Sequence, residues 1–224
     1  MSFTCDYCNK TFKRERTLSS HSCEKRRRHK NKGEKFSRIA YNAFNTFYKH
    51  TLRSKKDKTF DEFTNSNYYI AFIKFGNYCI NINAVNINKY ILYLIKNEIV
   101  LNKWTSDTVY DNYLANLIKT ESIEDALTRT INYSIAWGKE KNMEPHDLFR
   151  FGSSSRIKLG IQQGNISPWT IFQCNSGQQW FGSLDDNTIN SILQFIDQNV
   201  WEQKFAIDED DVTFAQTTLK HGGW

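Results

Sequence analysis

A chain of 224 residues that is 39% hydrophobic and 15% aromatic has the apolar material for one ordinary domain with a small appendage, which excludes a disordered chain. Its net charge of +6 is uneven: residues 1–35 hold 11 Lys and Arg against 4 Asp and Glu, while the rest hold 19 against 20. No stretch approaches the ~20 apolar residues of a bilayer span and no apolar leader opens the sequence, so the expectation is a cytoplasmic protein without a membrane partner.

Three of the five cysteines fall within the first 23 residues, and Cys79 and Cys174 stand alone. That distribution suits a reducing compartment rather than a disulfide framework. Phe3 precedes Cys5 by two positions, Cys5 and Cys8 form a Cys-x-x-Cys pair, and Phe12, Leu18 and His21 follow. Zinc takes four soft or borderline ligands in a tetrahedron, and a Cys-x-x-Cys knuckle in a hairpin turn supplies two of them. The twelve residues between Cys8 and His21 can finish a hairpin and run two helical turns that carry His21 to the metal. Phe3, Phe12 and Leu18 would form a miniature core, too small to fold without the ion.

In order and spacing these residues resemble the C2H2-type zinc-finger family, with Zn2+ as the expected cofactor. The last ligand departs from that pattern. Lys25, Arg26 and Arg27 occupy the positions where a second histidine should fall. Cys23 can serve if the helix ends or tightens after His21, since residues two apart on a continuous helix point to different faces. His29 is the alternative fourth ligand, about two turns or roughly 12 Å further along. The expected set is therefore Cys5, Cys8, His21 and Cys23, with His29 in reserve.

A helix starting near Arg14 would, if it docks as DNA-binding fingers do, turn Arg14, Thr17 and Ser20 toward base edges. One finger spans about three base pairs. The run Lys25, Arg26, Arg27, Arg28, Lys30, Lys32 and Lys35 would add phosphate contacts, salt-sensitive and indifferent to sequence. The expected organisation is a zinc finger over 1–24, a basic linker over 25–35 with Gly33 as hinge, and an α-helical domain over 36–224.

In that body, Phe36, Ile39, Ala40, Ala43, Phe44 and Phe47 recur at helical spacing over 36–50, and a basic connection follows from Lys49 to Lys58. Residues 66–78 read as a core helix, with a strand as the alternative. Asn86 or Asn88 caps the next helix, Thr105 or Ser106 opens another, and Ser122 starts one that runs to Trp137. Pro145 begins a short helical turn. Residues 149–164 read as a polar connection, in which Ser153, Ser154, Ser155, Arg156 and Lys158 could hold a phosphate, although no Walker or dinucleotide fingerprint is present. Ser167 and Pro168 signal a helix start. Asp186 or Asn187 precedes a last substantial helix on which Trp201 and Phe205 pack.

The fold class is thus mainly α, a ββα finger followed by a helical globular domain. The acids Asp208, Glu209, Asp210 and Asp211 are candidates for a magnesium-dependent nuclease site with Arg156 and Lys158, but consecutive acids more commonly form a solvated or helix-capping patch. Residues 3–28, followed by an aromatic helical body, are also similar to zinc-finger proteins of T-even-like tailed bacteriophages, and the abundance of Asn, Ile and Lys agrees with an AT-rich genome. The resemblance implies a host bacterial cytoplasm and a role in phage DNA metabolism or gene expression. The expected function is nucleic-acid binding, DNA rather than RNA, with the helical domain available to a protein partner. A protein-interaction adaptor and a metal-dependent nuclease are the alternatives.

Overall fold

The computed structural model describes residues 2–52 and 56–224. Fifteen α-helices and one two-stranded antiparallel sheet are present among them, so the protein is mainly α with a small N-terminal sheet. The chain forms two compact units, Met1–Tyr110 and Asp111–Trp224.

The first unit opens with strands β1 (Phe3–Thr4) and β2 (Thr11–Phe12), paired Phe3 to Phe12 and Thr4 to Thr11. Asn9 makes the turn with φ 58°, a left-handed conformation that asparagine adopts more readily than most residues. Helices α1 (Glu15–Ser20) and α2 (Glu24–Lys30) follow, neither containing a fully buried residue. The expected basic linker is therefore ordered as α2 and a 3₁₀ turn over Asn31–Gly33.

Helix α3 (Lys35–Thr51) begins where the 36–50 periodicity places it. Of the expected basic connection, residues 53–55 lie outside the described residues. The connection starts later than expected, since α3 runs on to Thr51, and it ends after Lys58, where Thr59 and Glu62 form a capping box that starts α4 (Phe60–Asn65). The segment left open between helix and strand is helix α5 (Tyr69–Asn81). It crosses α3 closely: Ala40 and Ala43 are fully buried, and a Cβ at Gly76 would overlap the Phe36 carbonyl. Asn86 caps α6 (Ile87–Lys96), and its side chain accepts from the Lys89 N–H at 3.3 Å.

The core of this unit is aromatic. Phe63, Phe72, Phe75, Tyr90 and Trp104 are fully buried, and Trp104 meets Phe72 at 5.7 Å and Phe75 at 5.2 Å between ring centroids. Fully burying one Phe contributes about 1.5–3 kcal/mol. The polar edges of this core are satisfied: Trp104 Nε1 donates to the Ile99 carbonyl at 2.8 Å, and Tyr90 Oη donates to the Trp104 carbonyl at 3.1 Å.

Helix α7 (Asp107–Thr120) contains the division between the units. The second unit then holds α8 (Ile123–Lys141), capped by Ser122 and extending past Trp137, followed by a 3₁₀ turn at Pro145 and α9 (Leu148–Phe151). The stretch expected to be a polar connection is largely helix α10 (Ser154–Gln162). Ser153 caps it, and Ile157 and Ile161 are buried. Ser167 and Pro168 start α11 (Pro168–Gln173) as expected, and α12 (Asn175–Gly182) follows with Cys174 as its cap.

Asp185, one residue before the expected cap, starts α13 (Asp186–Ile196). That helix is not the last. Trp201 and Phe205 lie on α14 (Gln198–Ile207) and pack against Trp169 of α11 at 6.0 and 4.9 Å. Helix α15 (Glu209–His221) completes the unit, with the acids of residues 209–211 in its first turn, where negative charge complements the helix dipole.

Candidate metal centre

The hairpin, α1 and the start of α2 bring four side chains to one point. One ligand atom each from Cys5, Cys8, His21 and Cys23 lies within 4.8 Å of the others, and Cys8 Sγ is 3.3 Å from His21 Nε2. Ligands held tetrahedrally at about 2.0–2.3 Å from a zinc-sized ion stand about 3.3–3.8 Å apart. Three sulfurs and one imidazole so placed can hold a metal ion after small adjustment. This is the only such cluster among the described residues, and the acids of residues 208–211 are not part of one.

The local backbone explains how ligands two residues apart converge. Helix α1 stops at Ser20, His21 takes an extended conformation (φ −68°, ψ 121°), and its N–H closes a tight turn on the Leu18 carbonyl at 3.0 Å. The chain restarts as α2 with Cys23 at the N-cap, where its Sγ accepts from the Arg26 N–H at 3.4 Å. The break thus removes the face restriction of a continuous helix. Phe12 packs against the His21 ring at 4.8 Å between centroids, tilted by 48°, and restricts its orientation.

The thiols are electrically unequal. Burial opposes the Cys5 thiolate, but the Tyr7 and Cys8 N–H groups and the neighbouring thiols favour it, and the Cys5 thiol lies below its ordinary value. The Lys10 N–H favours the Cys8 thiolate, yet burial and the adjacent Cys5 and Cys23 sulfurs push this thiol upward on balance. Converging thiolates repel unless a cation sits among them. Cys79 and Cys174 are set apart: burial pushes the Cys79 thiol up to about 12 and raises that of Cys174.

His29, the alternative ligand, is placed elsewhere. Its Nε2 lies 3.2 Å from Thr64 Oγ1 and 3.5 Å from Asp61 Oδ1, and its ring contacts Tyr7 at 5.0 Å and Phe60 at 5.7 Å. It joins the metal knuckle to α4 instead of completing the cluster.

The basic residues divide into two sets. Arg26 Nη1 donates to the His21 carbonyl at 2.7 Å and to those of Leu18 and Ser19 at 3.4 Å, satisfying the open end of α1. Arg28 pairs with Glu24, donates to the Thr64 carbonyl at 2.5 Å and lies over the Tyr69 ring at 4.4 Å, and Lys32 sits 5.4 Å from the Phe60 ring. Lys25, Arg27, Lys30 and Lys35 are exposed, as are Arg14, Thr17 and Ser20. Arg14 stands at the N-cap position of α1, without a side-chain cap bond, rather than within the helix, and the Ser20 hydroxyl donates to the Thr17 carbonyl at 3.2 Å.

Of the serines considered for phosphate binding, Ser153 caps α10 in the second unit, while Ser154 and Ser155 are exposed in its first turn. Ser153 Oγ accepts from the Arg156 N–H, and the Arg156 guanidinium is held by Tyr133 Oη at 3.0 Å and Glu140 at 3.1 Å. No helix among the described residues is long and apolar enough to cross a membrane. Comparison with known proteins gives no matching family model, no matching curated protein and no matching solved structure.

Proposed function

We propose that residues 3–30 form a zinc-dependent nucleic-acid-binding module, acting on DNA rather than RNA and carried on a helical body open to a protein partner. The observation that supports this best is the division of the basic residues. Arg26 and Arg28 are spent on internal contacts, while Arg14, Lys25, Arg27 and Lys30 remain exposed beside the Cys3His cluster. Exposed cations so grouped would release counterions on meeting phosphates, and Arg14, Thr17 and Ser20 would face the groove. Zinc is the ion that suits three sulfurs and an imidazole. The resemblance of residues 3–28 to phage finger proteins favours a role in phage DNA metabolism or gene expression.

The test is bound metal and salt-dependent duplex binding, measured on full-length protein without a metal-binding tag. Wild type should carry one zinc per chain and bind duplex DNA with an affinity that falls steeply with salt. Cys23→Ser should lose both properties. Zinc retained without any DNA binding would instead make the module a protein-interaction adaptor.

A further inference from the structure

Helix α4 serves two surfaces of the first unit. Asp61 and Thr64 meet His29, while Glu62 and Asn65, with residues 66–68, border an open cleft of about 300 Å³ that Tyr48 of α3 also lines. That volume is at the lower end of the small-ligand range, enough for one planar heterocycle.

The charges at this cleft are already matched. Glu62 Oε1 takes the Lys58 ammonium at 3.0 Å, and Oε2 accepts the Thr59 N–H at 2.7 Å and the Thr59 hydroxyl at 3.1 Å. What remains is neutral. Tyr68 is 52% exposed, Tyr48 is half-buried, and the amides of Asn65 and Asn67 are exposed. Asn65 Nδ2 is used on the Asp61 carbonyl at 2.9 Å, which leaves its carbonyl oxygen as an acceptor. Aromatic faces beside amides that both donate and accept suit a flat, uncharged, edge-bonding group, and a nucleobase has those properties. A charged ligand would have to displace the Lys58–Glu62 pair.

We propose that this cleft receives one unpaired base of a polynucleotide gripped by the finger. The inference rests on the nucleic-acid reading of the finger, and the link is α4, which joins the finger through His29 and borders the cleft through Asn65. The shared ligand chemistry is the base, and either sugar can present it.

Fluorescence anisotropy on the full-length, zinc-loaded protein tests this with a blunt DNA duplex, the same duplex with a single-stranded DNA overhang, an abasic overhang and an RNA overhang. The DNA or RNA overhang should bind at least about fivefold tighter than the blunt duplex, the lower range of one base stacked on an aromatic ring. Whichever sugar gains identifies the source of the base. The gain should vanish with the abasic overhang and in Tyr68→Ala, and shrink in Asn67→Ala, with circular dichroism showing that both variants are folded. Equal binding of blunt and overhang probes, or a gain that survives the abasic overhang or Asn67→Ala together with Tyr68→Ala, would overturn the proposal. Finger-dependent duplex binding without any overhang gain would remove this inference alone. Absence of binding to every probe would remove the finger's nucleic-acid role as well.

Discussion

The imidazole Nε2 of His29 stands 3.2 Å from the hydroxyl of Thr64, tying the helix that follows the metal cluster to α4. His29→Ala should therefore leave the bound zinc at its wild-type level while destabilising the first unit by about 1 kcal/mol, the usual net value of one hydrogen bond. Urea unfolding and metal analysis on the same samples check both halves. Loss of zinc in His29→Ala would make it a ligand after all.

Thiol reactivity should sort the cysteines into two classes. With zinc bound, labelling at neutral pH should be slow throughout. After chelation, three thiols per chain should react quickly, while Cys79 and Cys174, both buried and raised in pKa, should react only on unfolding. Mass spectrometry of the labelled peptides gives the count.

Arg26 and Arg27 are neighbours with different work. Arg26→Ala removes the donor that satisfies the Leu18, Ser19 and His21 carbonyls, so it should weaken metal retention and lower the chelator concentration that unfolds the finger. Arg27→Ala should leave metal retention alone and reduce the salt slope of DNA binding by about one unit. Competition with a chromogenic chelator and a salt titration separate the two.

Glu62 supplies a pH signature. The Thr59 N–H, followed by Lys58, holds its carboxyl down at about 2 against an ordinary 4.5. A depressed carboxyl stabilises the fold fully above its unfolded value and loses that contribution as pH falls toward the folded value. Glu62→Gln should be less stable than wild type at pH 7, and the gap should close between pH 4.5 and 2. Parallel denaturation of both proteins across that window measures it. A gap independent of pH would mean that the capping geometry, not the charge, carries the effect.

Much of this was legible where local chemistry and periodicity agree. The apolar stripe of α3, the Asn86 and Ser122 caps and the Ser167–Pro168 start all read correctly because each signal is contained in a few residues. Helix α4 is not among the expected elements although Thr59 and Glu62 carry a capping box, since six residues are too few to show a helical stripe. Helix α10 was hidden by its serines and by Gly160, which belongs to a buried face because Ile166 packs where a side chain would stand. At the metal cluster, four of the five candidate ligands converge, but the choice between Cys23 and His29 depended on where α1 stops. That stop is stabilised by Arg26, a contact made from the following helix, which spacing alone does not reveal.

Cys23 is both a member of the metal cluster and the N-cap of α2. Few side chains could replace it. Serine would keep the cap with a poor ligand for zinc, and histidine would keep a ligand while forfeiting the short reach of a cap. Aspartate alone among common residues offers an oxygen that can both ligate the metal and accept the cap bond, at the expense of the sulfur that zinc favours. A library at this position, selected for folded protein under limiting zinc, should narrow to cysteine first and aspartate second.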